Sequence, residues 1–133
     1  MSGELNLKQL LASMSPELMD GEYVFCSFQN AQYGDHTALE PIVTCVEQEG
    51  LTLIIPRSKA NEHNVDYEFA YRLITLKVHS SLEAVGLTAA FSNKLTEHDI
   101  SANVIAGYFH DHIFIQARQA EKAMAALKEL TTP

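Results

Sequence analysis

The residues in this sequence best suited to chemistry form the triplet His110-Asp111-His112. Alternate residues of a β-strand point to the same face of a sheet, so His110 and His112 can present two imidazoles together, and His79 can approach them from a neighbouring strand. Imidazole nitrogens bind metals such as zinc and also hydrogen-bond to ligands. Because spacing fixes no third metal ligand, we expect these histidines to hydrogen-bond a ligand carboxylate or carbonyl and not to hold a metal. The alternative is that they are polar residues of a turn.

A second polar group lies where a strand pattern gives way to a helix pattern. Ser80 and Ser81 can donate hydrogen bonds, and Glu83 can hold an ammonium group. Gly86 lacks the Cβ that would keep a carboxylate away from the unpaired N–H groups of a helix start. Asn103, on the strand after that helix, can both donate and accept. Alternatively, Ser81 caps the helix and Gly86 permits close packing against a sheet.

Motifs of covalent and nucleotide chemistry are absent from the sequence, which has no nucleophile elbow, phosphate loop or dinucleotide fingerprint. His79 beside Ser80 and Ser81 suggests a base next to a nucleophile, but adjacency in sequence does not orient the base. We therefore expect neither enzyme activity nor a cofactor.

The elements that must position these groups occupy the second half of the chain. Residues 71–79 alternate between apolar and polar side chains, which predicts a half-buried strand. Apolar residues at every fourth position predict an amphipathic helix over residues 84–98. A hairpin with a polar turn at residues 110–111 and a second amphipathic helix over 120–130 follow. The apolar residues behind these assignments are Ile74, Leu76, Val78, Leu87, Phe91, Leu95, Val104, Ile113, Ile115, Ala120, Met124, Leu127 and Leu130.

The first half of the chain has a similar order of elements. A short N-terminal helix ends just before Pro16, because proline disfavours the helical region for the residue that precedes it. The alternation then predicts a strand over residues 22–28, a hairpin of residues 42–47 and 51–55, and a short helix over residues 57–63.

The second half is one strand short of a ferredoxin-like fold. A sheet edge with unpaired N–H and C=O groups tends to recruit a partner, so we expect residues 22–28 or another copy of the protein to supply that strand. No flexible linker separates the halves. We therefore expect two units, over residues 1–66 and 67–133, whose sheet is shared or interleaved.

Composition and charge exclude several classes of function. The chain has 133 residues, 47% of them hydrophobic and 20% charged, as in folded proteins. Its formal net charge of −8 and its nine scattered Lys and Arg residues argue against nucleic-acid binding. No segment reaches the ~18 apolar residues needed to span a bilayer. Because nothing marks the chain as secreted, we expect a cytoplasmic protein in which Cys26 and Cys45 are reduced.

The second half resembles the ACT domain in the residues that flank its first helix. These are Gly86 before the helix, His98 and Asp99 in the turn after it, and Ile100 and Asn103 at the next strand. Over residues 22–130 the chain also resembles a small bacterial family of tandem ACT proteins of uncertain function. The segments that carry this resemblance are residues 50–56, 79–89 and 103–112. The arrangement is similar to the paired ACT modules of aspartate kinases and arginine-sensing regulators.

The resemblance implies an α+β, ferredoxin-like (ACT) sandwich of two βαββα units, which forms a homo-oligomer. It also implies a small-ligand site where the loop between the first strand and first helix of one unit meets a strand of another. The expected ligand-binding residues are His79, Ser80, Ser81, Glu83, Val85, Gly86, Asn103, His110 and His112. We expect a regulatory protein that binds a small molecule, in the first place an amino acid. The alternatives are a structural dimerisation module without a ligand and a small metal enzyme built on the histidines.

Overall fold

A computed structural model describes residues 3–77 and 86–131 of the chain, with the side chains of residues 3–6 excepted. Within those ranges the helices are α1 (Gly3–Ser13), α2 (Arg57–Glu62), α3 (Leu87–Glu97) and α4 (Ala120–Thr131). The strands are β1 (Ser15–Leu18), β2 (Tyr23–Phe28), β3 (Val43–Glu47), β4 (Gly50–Pro56), β5 (Tyr71–Lys77), β6 (Asn103–Ala106) and β7 (Asp111–Gln116). None of the described helices has the length and apolar character needed to cross a membrane.

The chain divides into two compact units that do not follow its halves. Unit 1 consists of residues 1–20 and 72–133, and unit 2 consists of residues 21–71. Unit 2 is thus inserted, in sequence, between two segments of unit 1. The α+β class and the ferredoxin-like arrangement predicted from the sequence are confirmed.

In unit 1 the strand order is β1-β5-β7-β6. Residues 15–18 supply a strand that the second half lacks, and they pair with four residues of β5. Residues 22–28, the expected source, also neighbour β5 in the sheet and pair with it at Tyr23 and Tyr71. Strand β1 is antiparallel to β5, with Ser15 opposite Lys77 and Leu18 opposite Ile74. Sequence patterning missed β1 because it is only four residues long and contains Pro16, which is tolerated at a sheet edge but is not a strand signal.

The core of unit 1 lies between this sheet and helices α1, α3 and α4. Phe91 and Leu95 of α3 and Leu127 of α4 are fully buried there, as the four-residue spacing predicts. Helix α1 adds partly buried leucines to the same core. The buried residues of the cluster are Met14, Ile74, Leu76, Leu87, Phe91, Leu95, Ile100, Ile113, Ile115, Ala123, Ala126 and Leu127.

In unit 2 the strand order is β3-β4-β2, and all the pairs are antiparallel. Tyr71, at the start of β5, pairs with Tyr23 of β2. Helix α2 packs on one face of the strands through Ala60, which is fully buried. The predicted hairpin is present, with Glu47 opposite Gly50. Glycine is required at position 50 because a Cβ there would lie 2.9 Å from the Phe28 carbonyl oxygen.

Removing a large side chain from the core of unit 1 tests this packing. We expect Phe91→Ala to lower the free energy of unfolding by about 3 to 5 kcal/mol, because the surrounding side chains cannot fill the cavity. Urea denaturation followed by circular dichroism measures the change. Thr88→Ala, at an exposed position of the same helix, is the control and should change stability by at most about 0.5 kcal/mol. A loss below about 1 kcal/mol for Phe91→Ala would contradict the packing described here.

Candidate functional site

Thr75 and His112 form the centre of the candidate site in unit 1. Thr75, on β5, is buried with 5% of its surface exposed, and its hydroxyl lies 3.0 Å from Nδ1 of His112, on β7. Thr75 is two residues from the end of β5, and His112 is the second residue of β7. The end of β5, from which the chain enters residues 78–85, therefore lies beside the hairpin end that carries the predicted histidines.

The β6–β7 turn holds this end of the sheet together. The N–H of Gly107 donates a hydrogen bond of 2.9 Å to the carbonyl oxygen of His110. A Cβ at position 107 would lie 2.8 Å from that oxygen and 3.2 Å from Nε2 of His112, so only glycine fits. The turn thus occupies residues 107–110, earlier than the predicted turn at 110–111, because this hydrogen bond closes the hairpin directly after Ala106.

Burial controls the protonation of the two titrating residues that begin β7. It lowers the pKa of the His112 imidazole below 6.5, and the neighbouring His110 lowers it further, while Asp111 acts in the opposite direction. Burial raises the pKa of the Asp111 carboxyl above 3.8, and both histidines oppose that change. His112 is therefore neutral near pH 7, with one ring nitrogen that donates and one that accepts.

The two ring nitrogens of His112 differ in their partners. Nδ1 faces the Thr75 hydroxyl, whereas Nε2 forms no hydrogen bond to any residue within ranges 3–77 and 86–131. If the hydroxyl donates to Nδ1, the proton of the imidazole resides on Nε2. His112 then has a hydrogen-bond donor available to another molecule.

Asn103 has its amide partly occupied. Its Nδ2 donates a 3.1 Å hydrogen bond to the carbonyl oxygen of Phe114, the residue opposite it in the β6–β7 pair. The residue opposite His112 is Ile105, so Asn103 is two positions further along the strand. Asn103 thus lies two pairs along the β6–β7 ladder from His112, and its Oδ1 forms no hydrogen bond within residues 3–77 and 86–131.

Gly86 starts α3 in a left-handed conformation, with φ of +94°, which favours glycine. A Cβ at this position would lie 3.1 Å from Cδ2 of Leu7 in α1. Close packing at Gly86 is thus observed, but its partner is a helix and not the sheet. Gly86 provides no side chain to cap the N–H groups that begin α3.

Five predicted ligand-binding residues, His79, Ser80, Ser81, Glu83 and Val85, lie outside the described residues. Among those that are described, no three His, Cys, Asp or Glu residues are close enough together to hold a metal ion. His79, the third histidine of the metal-enzyme hypothesis, is not among them.

Family comparisons match both parts of the chain. A model of the ACT domain matches residues 2–72, and a second model of the ACT domain matches residues 68–129. The chain belongs to the ACT domain family. The resemblance identified from Gly86, Ile100 and Asn103 is confirmed.

Solved structures give the same fold for this ACT protein. A protein of unknown function from Vibrio cholerae, described as a possible transport protein, is 55% identical over 98% of this chain and 100% of its own, with a TM-score of 0.89. The regulatory subunit of aspartate kinase from Thermus thermophilus, in a ligand-free form, is 11% identical over 90% of this chain and 97% of its own, with a TM-score of 0.61. Aspartate kinase from Clostridium acetobutylicum is 9% identical over 90% of this chain and 34% of its own, with a TM-score of 0.64. No curated protein matches the chain.

Family membership supports a regulatory, ligand-binding role in general, since ACT domains are regulatory and not catalytic modules.

Two residues of the candidate site were not predicted as such. Thr75 carried no signal, because the alternation of residues 71–79 places it with Lys77 on the polar face of the strand, and its burial and hydrogen bond are seen only in the structure. The contact of Gly107 with the imidazole likewise has no sequence signal.

The lowered pKa of His112 predicts how stability depends on pH. Between the folded-state pKa and 6.5, the unfolded chain binds more protons at this position than the folded chain does. The free energy of unfolding should therefore fall as the pH is lowered from 7.5 through 6.5 towards 5. His112→Asn should make this dependence shallower. Urea denaturation at a series of pH values measures the slope, with His63→Asn, in unit 2, as the control. An unchanged slope in His112→Asn would contradict the assignment.

Proposed function

We propose that this ACT protein binds a free amino acid at the end of the unit 1 sheet and regulates a partner through the resulting change in conformation. The observation that carries the proposal is the neutral His112 imidazole, held by Thr75 with Nε2 available, beside the end of β5. A donor fixed in this way is suited to an anionic oxygen, since its orientation is set before the ligand arrives.

Each residue of the proposed site suits one part of an amino acid: its carboxylate, its ammonium group or its side chain. The carboxylate of an amino acid accepts hydrogen bonds from Nε2 of His112, from Ser80 and Ser81, and from the N–H groups that begin α3. Its ammonium group pairs with Glu83 and with the free Oδ1 of Asn103. His79, Val85 and His110 surround the side chain.

Regulation follows from the packing of α1 on the start of α3. Leu7 covers the side of Gly86 on which a Cβ is absent, so a ligand that approaches the N–H groups from this side displaces Leu7. A ligand that binds only when α1 is displaced shifts the population towards that arrangement. In this proposal α1 is the element that reports occupancy to a partner protein.

The proposal assigns no catalytic residue, cofactor or metal to the protein. Its cytoplasmic location stays a prediction, as does the division into repeats at residues 66 and 67. Nucleic acid and membranes are not among the proposed partners.

An amino acid in the site should stabilise the protein. We expect one or a few of the twenty common amino acids to give saturable heat in calorimetric titration and to raise the melting temperature. A ligand at 100 times its Kd raises the free energy of unfolding by about 2.7 kcal/mol. His112→Asn and Ser81→Ala should each weaken binding by about tenfold, because each removes a hydrogen bond to a charged group.

Ser101→Ala, at an exposed serine outside the site, is the matched control and should bind as the wild type does. Circular dichroism checks that each variant is folded. If none of the twenty amino acids gives heat or a thermal shift, the amino-acid proposal fails. Binding of a nucleobase in the same assay would instead indicate another class of ligand.

We also propose that the protein forms a homo-oligomer through β3. If the protein binds no ligand, this contact would be sufficient for the alternative function, a structural dimerisation module. Strand β3 pairs only with β4 among the described strands and contains neither Lys nor Pro. Val46, on this strand, is 71% exposed, and Cys45 is exposed beside it. An edge strand without lysine or proline, whose one charged residue is the terminal Glu47, is suited to pairing with the same strand of a second copy.

The mass in solution tests this contact. The wild-type chain, of 14.8 kDa, should have about twice that mass in multi-angle light scattering, and Val46→Lys should return it to the monomer mass, since a lysine at a sheet edge opposes pairing. Thr88→Lys adds the same charge at an exposed position of α3 and should leave the mass unchanged. A wild-type monomer, or equal masses for the two variants, would contradict pairing through β3.

A further inference from the structure

A cavity in unit 2 is lined by a single segment of the chain, and none of its residues belongs to the proposed amino-acid site. It is a shallow depression that is largely open to solvent, with a volume of about 340 Å³. It lies where α2 ends and the chain turns towards β5. The cavity is lined by Ala60, Asn61, Asn64, Val65, Asp66 and Tyr67.

The backbone around the cavity is fixed by the end of α2. Asn64 adopts a left-handed conformation with φ of +57°, and the N–H of Val65 donates a 2.8 Å hydrogen bond to the carbonyl oxygen of Ala60. This is the arrangement in which a helix is closed by its last turn. Ala60 is fully buried in the core of unit 2, and Val65 packs against that core. The floor of the cavity is therefore a continuation of the core.

A series of hydrogen bonds fixes Tyr67, which forms one side of the cavity. The Tyr67 hydroxyl donates to Oδ1 of Asn61 at 2.8 Å and accepts from Nε of Arg57 at 2.9 Å. Arg57 in turn donates to Oε1 of Glu22 at 2.6 Å. The guanidinium also lies 5.7 Å from the centre of the Tyr67 ring. Tyr67 is thus held in one position before any ligand binds.

The polar groups of the lining are acceptors and amides without a positive charge. Asp66 forms no ion pair with any described residue, and the side chain of Asn64 forms no hydrogen bond within the same ranges. The nearby cations are already paired: Arg57 with Glu22 at 2.6 Å, and Lys59 with Glu40 at 2.9 Å. The sequence as a whole carries a net charge of −8, which adds a negative potential.

We propose that this cavity binds the alkylammonium group of a small organic cation. Asp66 pairs with the ammonium, and the amides of Asn61 and Asn64 bind a second polar group of the ligand. The alkyl chain lies on Val65 and on the ring of Tyr67, which are both partly exposed. The same alkylammonium occurs in a free aliphatic diamine and in the side chain of lysine, and the experiment distinguishes them.

The test titrates isotope-labelled full-length protein with 1,5-diaminopentane, with lysine and with 1,5-pentanediol, a molecule of the same length without charge. We expect saturable changes in the backbone amide signals of residues 60–67 with at least one of the two amines and none with the diol. Saturation by the diamine alone assigns the site to free amines. Saturation by lysine alone, or by both, shows that the site accepts the amino-acid form.

Asp66→Asn should weaken binding at least tenfold. Glu68→Gln removes the same charge from an exposed residue outside the lining and should change affinity less than twofold. Equal weakening by the two variants, equal changes with the diol, or no saturable change at residues 60–67 would each overturn the proposal. The two proposed sites can be distinguished in the same experiment. Binding at the amino-acid site should change the signals of residues 107–112 and should depend on His112. Binding of the diamine should change the signals of residues 60–67 and should be the same in His112→Asn.

Discussion

The hydroxyl of Thr75 imposes the main constraint on unit 1. It is buried in a strand whose neighbours, Ile74 and Leu76, are fully buried apolar residues. A hydroxyl removed from water without a partner costs about 1 to 3 kcal/mol, so the fold must bring a polar group to it. His112 is that group, and its ring lies close against position 107, where a Cβ would be 3.2 Å from Nε2. The β6–β7 register brings His112 to the strand position from which its ring meets the hydroxyl, and burial of the ring there lowers the pKa of the imidazole.

Most helices and strands could be predicted from the spacing of apolar residues, because that spacing indicates which face of an element is buried. The spacing of Phe91, Leu95 and Leu127 predicted two helices and the face that each one buries. Strand β1 could not be predicted in this way. Its four residues are too few to show an alternation, and its place in the sheet depends on β5, which lies beyond an inserted unit. Local patterns carry no information about a pairing of that kind.

The sequence predicted which histidines belong to the candidate site, but it did not predict how they are arranged. His110 and His112 stood out because imidazoles can bind ligands or metals and because alternate residues of a strand share a face. The roles of Thr75, Asn103 and Leu7 depend on contacts between elements. A sequence gives no distance between a hydroxyl on one strand and a ring on another, and it does not indicate that the Asn103 amide is used within the sheet. Nor does the sequence indicate that Leu7 of α1 packs against Gly86, the residue before α3.

The insertion of residues 21–71 between the two segments of unit 1 affects how the chain folds as it is synthesised. Strand β1 leaves the ribosome early but has no neighbour until residues 74–77 emerge. Unit 2 is complete before then and can fold first, since all its pairings lie between residues 21 and 71. Its folding brings residues 20 and 72 together, because Tyr23 pairs with Tyr71. This shortens the loop that β1 and β5 must close and so reduces the entropy lost when they pair. Folding of unit 2 before unit 1 would therefore lower the entropic cost of pairing β1 with β5.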